Sequence, residues 1–67
     1  GMSFQDLPSR MAARADADGL PPEHPLRASA KTLADACADF ATPVPRLIGL
    51  WARARKTWCA YTGEASL

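Results

Sequence analysis

One histidine and two cysteines are the only imidazole and thiol groups in the 67 residues, and no Cys-x-x-Cys or His-x-x-x-His spacing gathers them. A zinc site needs three or four such ligands at chelating spacing, so no metal is expected. His24, set between Glu23 and Pro25, is read instead as a residue that caps or packs a helix start. Two cysteines also cannot build a disulfide framework, and the spacing argued below puts Cys37 and Cys59 about 12 Å apart along a helix axis, beyond the reach of a bridge. Both are read as thiols, Cys37 turned to the core and Cys59 on its flank. The five Asp and two Glu form no paired-carboxylate motif, and the four glycines form no phosphate-binding loop. Cys59 has only Arg55 one turn away to lower its pKa, a weak basis for a nucleophile. No enzymatic activity, catalytic residue or cofactor is expected.

The chain also lacks an apolar run near the roughly 20 residues that span a bilayer, and lacks the charged-then-apolar order of a signal peptide. A cytoplasmic protein without a membrane partner is expected. The formal net charge is only +1, so the chain as a whole carries no strong field towards nucleic acid, and any such case rests on a local patch. Gly1 ahead of Met2 resembles the remnant of a cleaved tag, and residues 2–67 are taken as one small domain.

What the sequence has is helical period. Leu26, Ala30, Leu33, Cys37 and Phe40 follow one another at spacings of four, three, four and three, and so do Leu47, Trp51, Ala54, Trp58 and Tyr61. At about 100° per residue each set occupies a stripe roughly 80° wide on one helix face. Between them Thr42-Pro43-Val44-Pro45 marks a turn. Folding back at Pro43 and Val44 sets Phe40 beside Leu47, Cys37 beside Trp51, Leu33 beside Ala54, Ala30 beside Trp58 and Leu26 beside Tyr61. In the three middle layers a large side chain meets a smaller one, as interdigitating layers require. The fold expected is all-α: an antiparallel hairpin of helices at about 25–41 and 44–61, with a short N-terminal helix at about 7–18.

The N-terminal helix offers Phe4, Leu7, Met11 and Ala15 on one face. Ser3 to Asp6 has the form of a capping box, but Pro8 belongs in a first turn, which favours a start near Leu7. Gly19 then reads as a left-handed C-cap with Leu20 returning to the core and Pro21 as a stop. Leu20 to Pro25 forms a stiff connector, and Pro25 suits the first turn of the next helix. Lys31 and Asp35 form an i,i+4 pair on the solvent face. Thr42 is expected to cap the last helix, Gly63 to end it, and Glu64 to Leu67 to fray.

Two tryptophans and Tyr61 exceed what one short hairpin needs, and Ile48 and Leu50 sit at the margins of its seam. Such a patch marks an interface. Ile48, Leu50, Trp51, Trp58 and Tyr61 are therefore the expected contact residues of a homo-oligomer, with a helical protein partner in second place. The function expected is that of a small interaction or regulatory module. The alternative is a DNA-binding accessory protein that uses Arg46, Arg53, Arg55 and Lys56 on the last helix, since residues 33–56 can be laid over a helix-turn-helix. That fit suffers from Ala41 standing where a turn glycine belongs and from both tryptophans lying in the seam.

Overall fold

The computed structural model describes residues 6–64. They form three helices, α1 (Asp6–Ala17), α2 (Pro25–Ala38) and α3 (Val44–Thr62), and among the described residues there is no strand. The capping box from Ser3 and the side chain of Phe4 lie outside the described residues. Pro8 falls in the first turn of α1 as described, where its missing N–H costs nothing.

The exit from α1 follows the left-handed design written in its sequence. Gly19 has φ +64, the Gly19 N–H donates to the carbonyl of Asp16 at 3.2 Å, and the Leu20 N–H donates to that of Ala15 at 3.0 Å. This pair of bonds is a Schellman motif, and Leu20 returns to pack against the core. Arg27 then fastens the connector from the far side: its Nε donates to the Leu20 carbonyl at 2.8 Å and its guanidinium pairs with Asp16 at 2.8 Å. His24 caps α2 through Nδ1, which accepts from the Leu26 N–H at 3.1 Å, with Pro25 in the first turn.

α2 is the middle helix. Both α1 and α3 pack along it, whereas α1 and α3 meet at few points. α1 runs antiparallel to α2, since Pro8 and Ser9 lie by Ala34, Cys37 and Ala38 while Asp16 reaches Arg27. α3 is antiparallel to α2 as well: His24 meets Tyr61 edge to face at 5.6 Å between ring centroids, and the Ser29 and Thr57 hydroxyls are 3.4 Å apart. The core between them consists of Leu7, Met11, Ala15, Leu26, Ala30, Leu33, Ala54 and Trp58, with Cys37, Leu50, Trp51, Cys59 and Tyr61 packed on its edge. Four of the five layers expected of the hairpin contribute to this cluster.

The fifth layer does not form. α2 ends at Ala38 and not at 41, and Phe40 is 103% exposed. The cause is Asp39, whose backbone is extended (φ −95, ψ 107). Its Oδ1 accepts from the Ala41 N–H at 2.9 Å and its carbonyl accepts from the Thr42 N–H at 3.0 Å. An aspartate that satisfies the backbone of the next residues in this way competes with helix continuation and wins. Phe40 is thereby placed on the outside of a turn. Three further expectations are corrected. Pro43, not Thr42, occupies the N-cap of α3, without a side-chain hydrogen bond. Cys37 is half-buried like Cys59, so the two thiols are not divided into core and flank. Glu64 is held rather than frayed, since its Oε2 accepts from Trp58 Nε1 at 3.0 Å, just beyond the left-handed Gly63 (φ +81) that closes α3. The expected fraying of the last residues, 65–67, falls outside the described residues.

Candidate interaction surface

α3 is 19 residues long but buries only Ala54 and Trp58 completely. Around its axis, Ala54 and Trp58 point at the core, Trp51 lies at one margin and Leu50 at the other, and Leu47, on the same face one layer beyond, is only half-buried. Just outside the Trp51 margin, within roughly 40° of arc, come Val44, Ile48 and Arg55. Val44 is 64% and Ile48 54% exposed. Arg55 stacks over the Trp51 ring, its guanidinium carbon 5.5 Å from the centroid, which extends the same surface by a cation resting on an aromatic face. These residues make an apolar strip along the first three turns of α3, and Phe40 stands fully exposed in the turn that precedes it. The exposed apolar area of the strip is on the order of a few hundred Å², a size that marks contact surfaces on small proteins.

The five residues expected at an interface are thus split by the structure. Ile48 is outside, and Leu50 and Trp51 are half-buried at the two margins. Trp58 is 7% exposed, with its indole N–H used by Glu64, and is occupied within the chain. Tyr61 is half-buried and committed to intramolecular partners. Phe40 and Val44 were not expected at the surface patch. Phe40 fits the seam spacing by number alone, and its exclusion is readable only in Asp39. Val44 lies one turn before Ile48 but is masked in the sequence by the prolines on either side.

All four cations expected to offer nucleic-acid contacts are exposed: Arg46, Arg53, Arg55 and Lys56. Among the described residues none of them forms an ion pair. They are not in one row. Arg46 and Arg53 lie beside Leu50, Arg55 lies on the apolar strip, and Lys56 projects between the two, so they cover roughly half of the helix circumference. α3 holds four of the eight basic residues of the chain and none of its seven acidic ones, which leaves the remainder at −3.

At the opposite end of the hairpin the surface is closed by polar contacts. The Tyr61 hydroxyl donates to Asp18 Oδ2, the same oxygen accepts from Arg14 Nε at 2.9 Å, and the Arg14 guanidinium lies 5.5 Å from the centre of the Tyr61 ring. His24 covers another edge of that ring. The Tyr61 and Arg14 hydrogen bonds hold the Asp18 carboxyl below the usual carboxylate range. The bond to Asp18, with some desolvation and the carboxylate charge behind it, raises the Tyr61 phenol above its usual range. The hydrogen bond and charge of Asp18 likewise reinforce the protonated state of Arg14. This clasp ties the C-terminus of α1 to that of α3. His24 Nδ1 is engaged by the Leu26 N–H, and no group of three or more His, Cys, Asp or Glu side chains suited to a metal occurs among the described residues.

An open groove of about 470 Å³ lies between α1 and α2, floored by Pro8, Ala12, Ala30 and Ala34. Its two cations are both used locally, Arg27 by Asp16 and Leu20, and Lys31 by Asp35 at 3.4 Å. No helix among the described residues is long and apolar enough to cross a membrane. Comparison with family models, curated proteins and solved structures gives no match to this chain.

Proposed function

We propose that the protein is a non-catalytic helical interaction module whose α3 strip is covered by a helix of another protein chain, whether a second copy or a different partner. The observation that supports this most directly is that Val44 and Ile48 stand more than half exposed on one face of α3, next to the fully exposed Phe40. Burying a few hundred Å² of apolar surface at roughly 25 cal/mol per Å² contributes several kcal/mol before association costs, a contribution that contacts bordering the strip must supplement. Contacts of this type read as i, i+4 anchors of one helix on another. A nucleic-acid accessory role stands second, favoured by the four unpaired cations of α3. It leaves the apolar strip unused.

The reading is tested on the intact chain and on Ile48→Asp. Sedimentation and the concentration dependence of the thermal midpoint report self-association. Titration with a Leu-faced amphipathic helical peptide carrying uncharged Gln flanks reports a different partner. Saturable association in at least one assay, lost in Ile48→Asp while helicity is retained, is the expected result. A chain that stays monomeric with a concentration-independent midpoint and that also ignores the peptide refutes the module.

A further inference from the structure

We infer, resting on the module reading, that the occupant of the α3 strip is an acidic amphipathic helix of another protein rather than a second copy of this chain. The argument starts from area. A standard interface buries about 800 Å² per partner, and the exposed apolar strip supplies only part of that. The rest of the footprint must come from what borders the strip, and on the solvent side of α3 that border is cationic: Arg55 lies on the strip itself and Lys56 beside it, whereas Arg46 and Arg53 lie at the far margin beyond Leu50. None of these four has an acidic partner among the described residues. The other cations near the helix packing, Arg14, Arg27 and Lys31, are all paired within the chain.

A two-fold contact of α3 with the α3 of a second copy matches apolar strip to apolar strip but sets Arg55 and Lys56 of one copy against the same pair of the other, four cations with no acidic residue on either α3 to offset them. At physiological salt the screening length is about 8 Å, comparable to the distance between packed helices, so this repulsion is felt. A helix with the same apolar face and glutamates or aspartates on its flanks removes the conflict. Its carboxylates then meet guanidinium groups suited to bidentate pairing, and one of these, Arg55, is already steadied by its stack on Trp51. Duplex DNA satisfies the cations but offers no complement to Val44, Ile48 and Phe40. The partner chemistry that uses all of the surface is therefore apolar in the centre and anionic at the edges.

The test uses three synthetic peptides of about five helical turns with one common Leu face and flanks of Glu, Gln or Lys, together with a random-sequence DNA duplex. The expected affinity order is Glu, then Gln, then Lys, with Glu at least about tenfold tighter than Lys at low salt and the gap closing as salt rises. Ile48→Asp should weaken all three peptides. The double variant Arg55→Glu with Lys56→Glu, both exposed positions, should reverse the order while leaving the circular dichroism unchanged. Equal affinity for the three peptides, weakened alike by Ile48→Asp, overturns the acidic partner but leaves the module standing. Self-association of the chain that the Glu peptide cannot displace also overturns it, in favour of the second copy. Duplex binding that exceeds Glu-peptide binding and is indifferent to Ile48→Asp overturns both.

Discussion

The two ends of the α2–α3 hairpin are built from similar residue types and treated in opposite ways. At the closed end the α1–α2 connector folds over Tyr61, and His24, Arg14 and Asp18 engage the ring and its hydroxyl. At the turn end α2 stops three residues early, and Phe40, Val44 and Ile48 are left bare. The difference lies in what the third helix can reach. α1 packs mainly along α2 and has few neighbours along α3, the clasp among them. Aromatic content thus does not decide which surface is sticky. Coverage by the remaining helix does.

The comparison breaks most sharply on substitution of one apolar residue at each end. Trp58→Ala removes a buried indole from the core shared by all three helices and should cost about 3–5 kcal/mol, a large share of the stability of so short a chain, so denaturant titration should show it largely unfolded. Phe40→Ser should change stability by no more than about 0.5 kcal/mol in the same titration. A large loss at Phe40 would mean that the turn end is packed after all.

Titration of the clasp gives the next effect, with opposite signs on the two sides of neutrality. Asp18 is held below its ordinary value of about 4, so its contribution to stability is present above that value and is lost as pH falls through the depressed one. Tyr61 is raised, so its contribution is present below the ordinary value of about 10 and is lost as pH rises through the raised one. Asp18→Asn should flatten the acid limb of the thermal midpoint against pH, and Tyr61→Phe the alkaline limb. Unchanged limbs would show that the clasp is not formed in solution.

A modest gain rather than a loss is expected at Gly49, in the exposed half of α3, where an added Cβ meets nothing within 4 Å. Gly49→Ala should therefore stabilise by about 0.5–1 kcal/mol through helix propensity alone, read from the same denaturant titration. A loss of stability would mean that a neighbour crowds α3 at Gly49.

Periodic features were legible in the sequence. The 4-3 spacing of Leu26, Ala30 and Leu33 and of Ala54 and Trp58 finds the core, because burial on a helix repeats with the turn. Gly19 followed by Leu20, and His24 before Pro25, find two helix ends because the chemistry there is local. Phe40 departs from the seam because the bond that Asp39 Oδ1 accepts from the Ala41 N–H overrides a spacing that otherwise fits. The clasp could not be read at all. Asp18 and Tyr61 lie 43 positions apart, neither belongs to a motif, and their meeting depends on the angle at which the proline connector delivers α1. The exposed apolar residues of α3 were half legible: Ile48 follows from period, whereas the withdrawal of Trp58 depends on its bond to Glu64 and that of Tyr61 on partners brought from α1 and the connector.

The long span of the Asp18–Tyr61 contact has a kinetic meaning. The Schellman turn, the His24 cap and the packing of successive helices all join chain neighbours, and they can form while the rest is still unfolded. The clasp alone joins the end of the first helix to the end of the last, so it closes only after both have docked on α2. Contacts that form after the rate-limiting step set the rate of escape and not of entry. Asp18→Asn should hasten unfolding and leave the refolding rate nearly unchanged, which makes this pair a brake on the release of the chain.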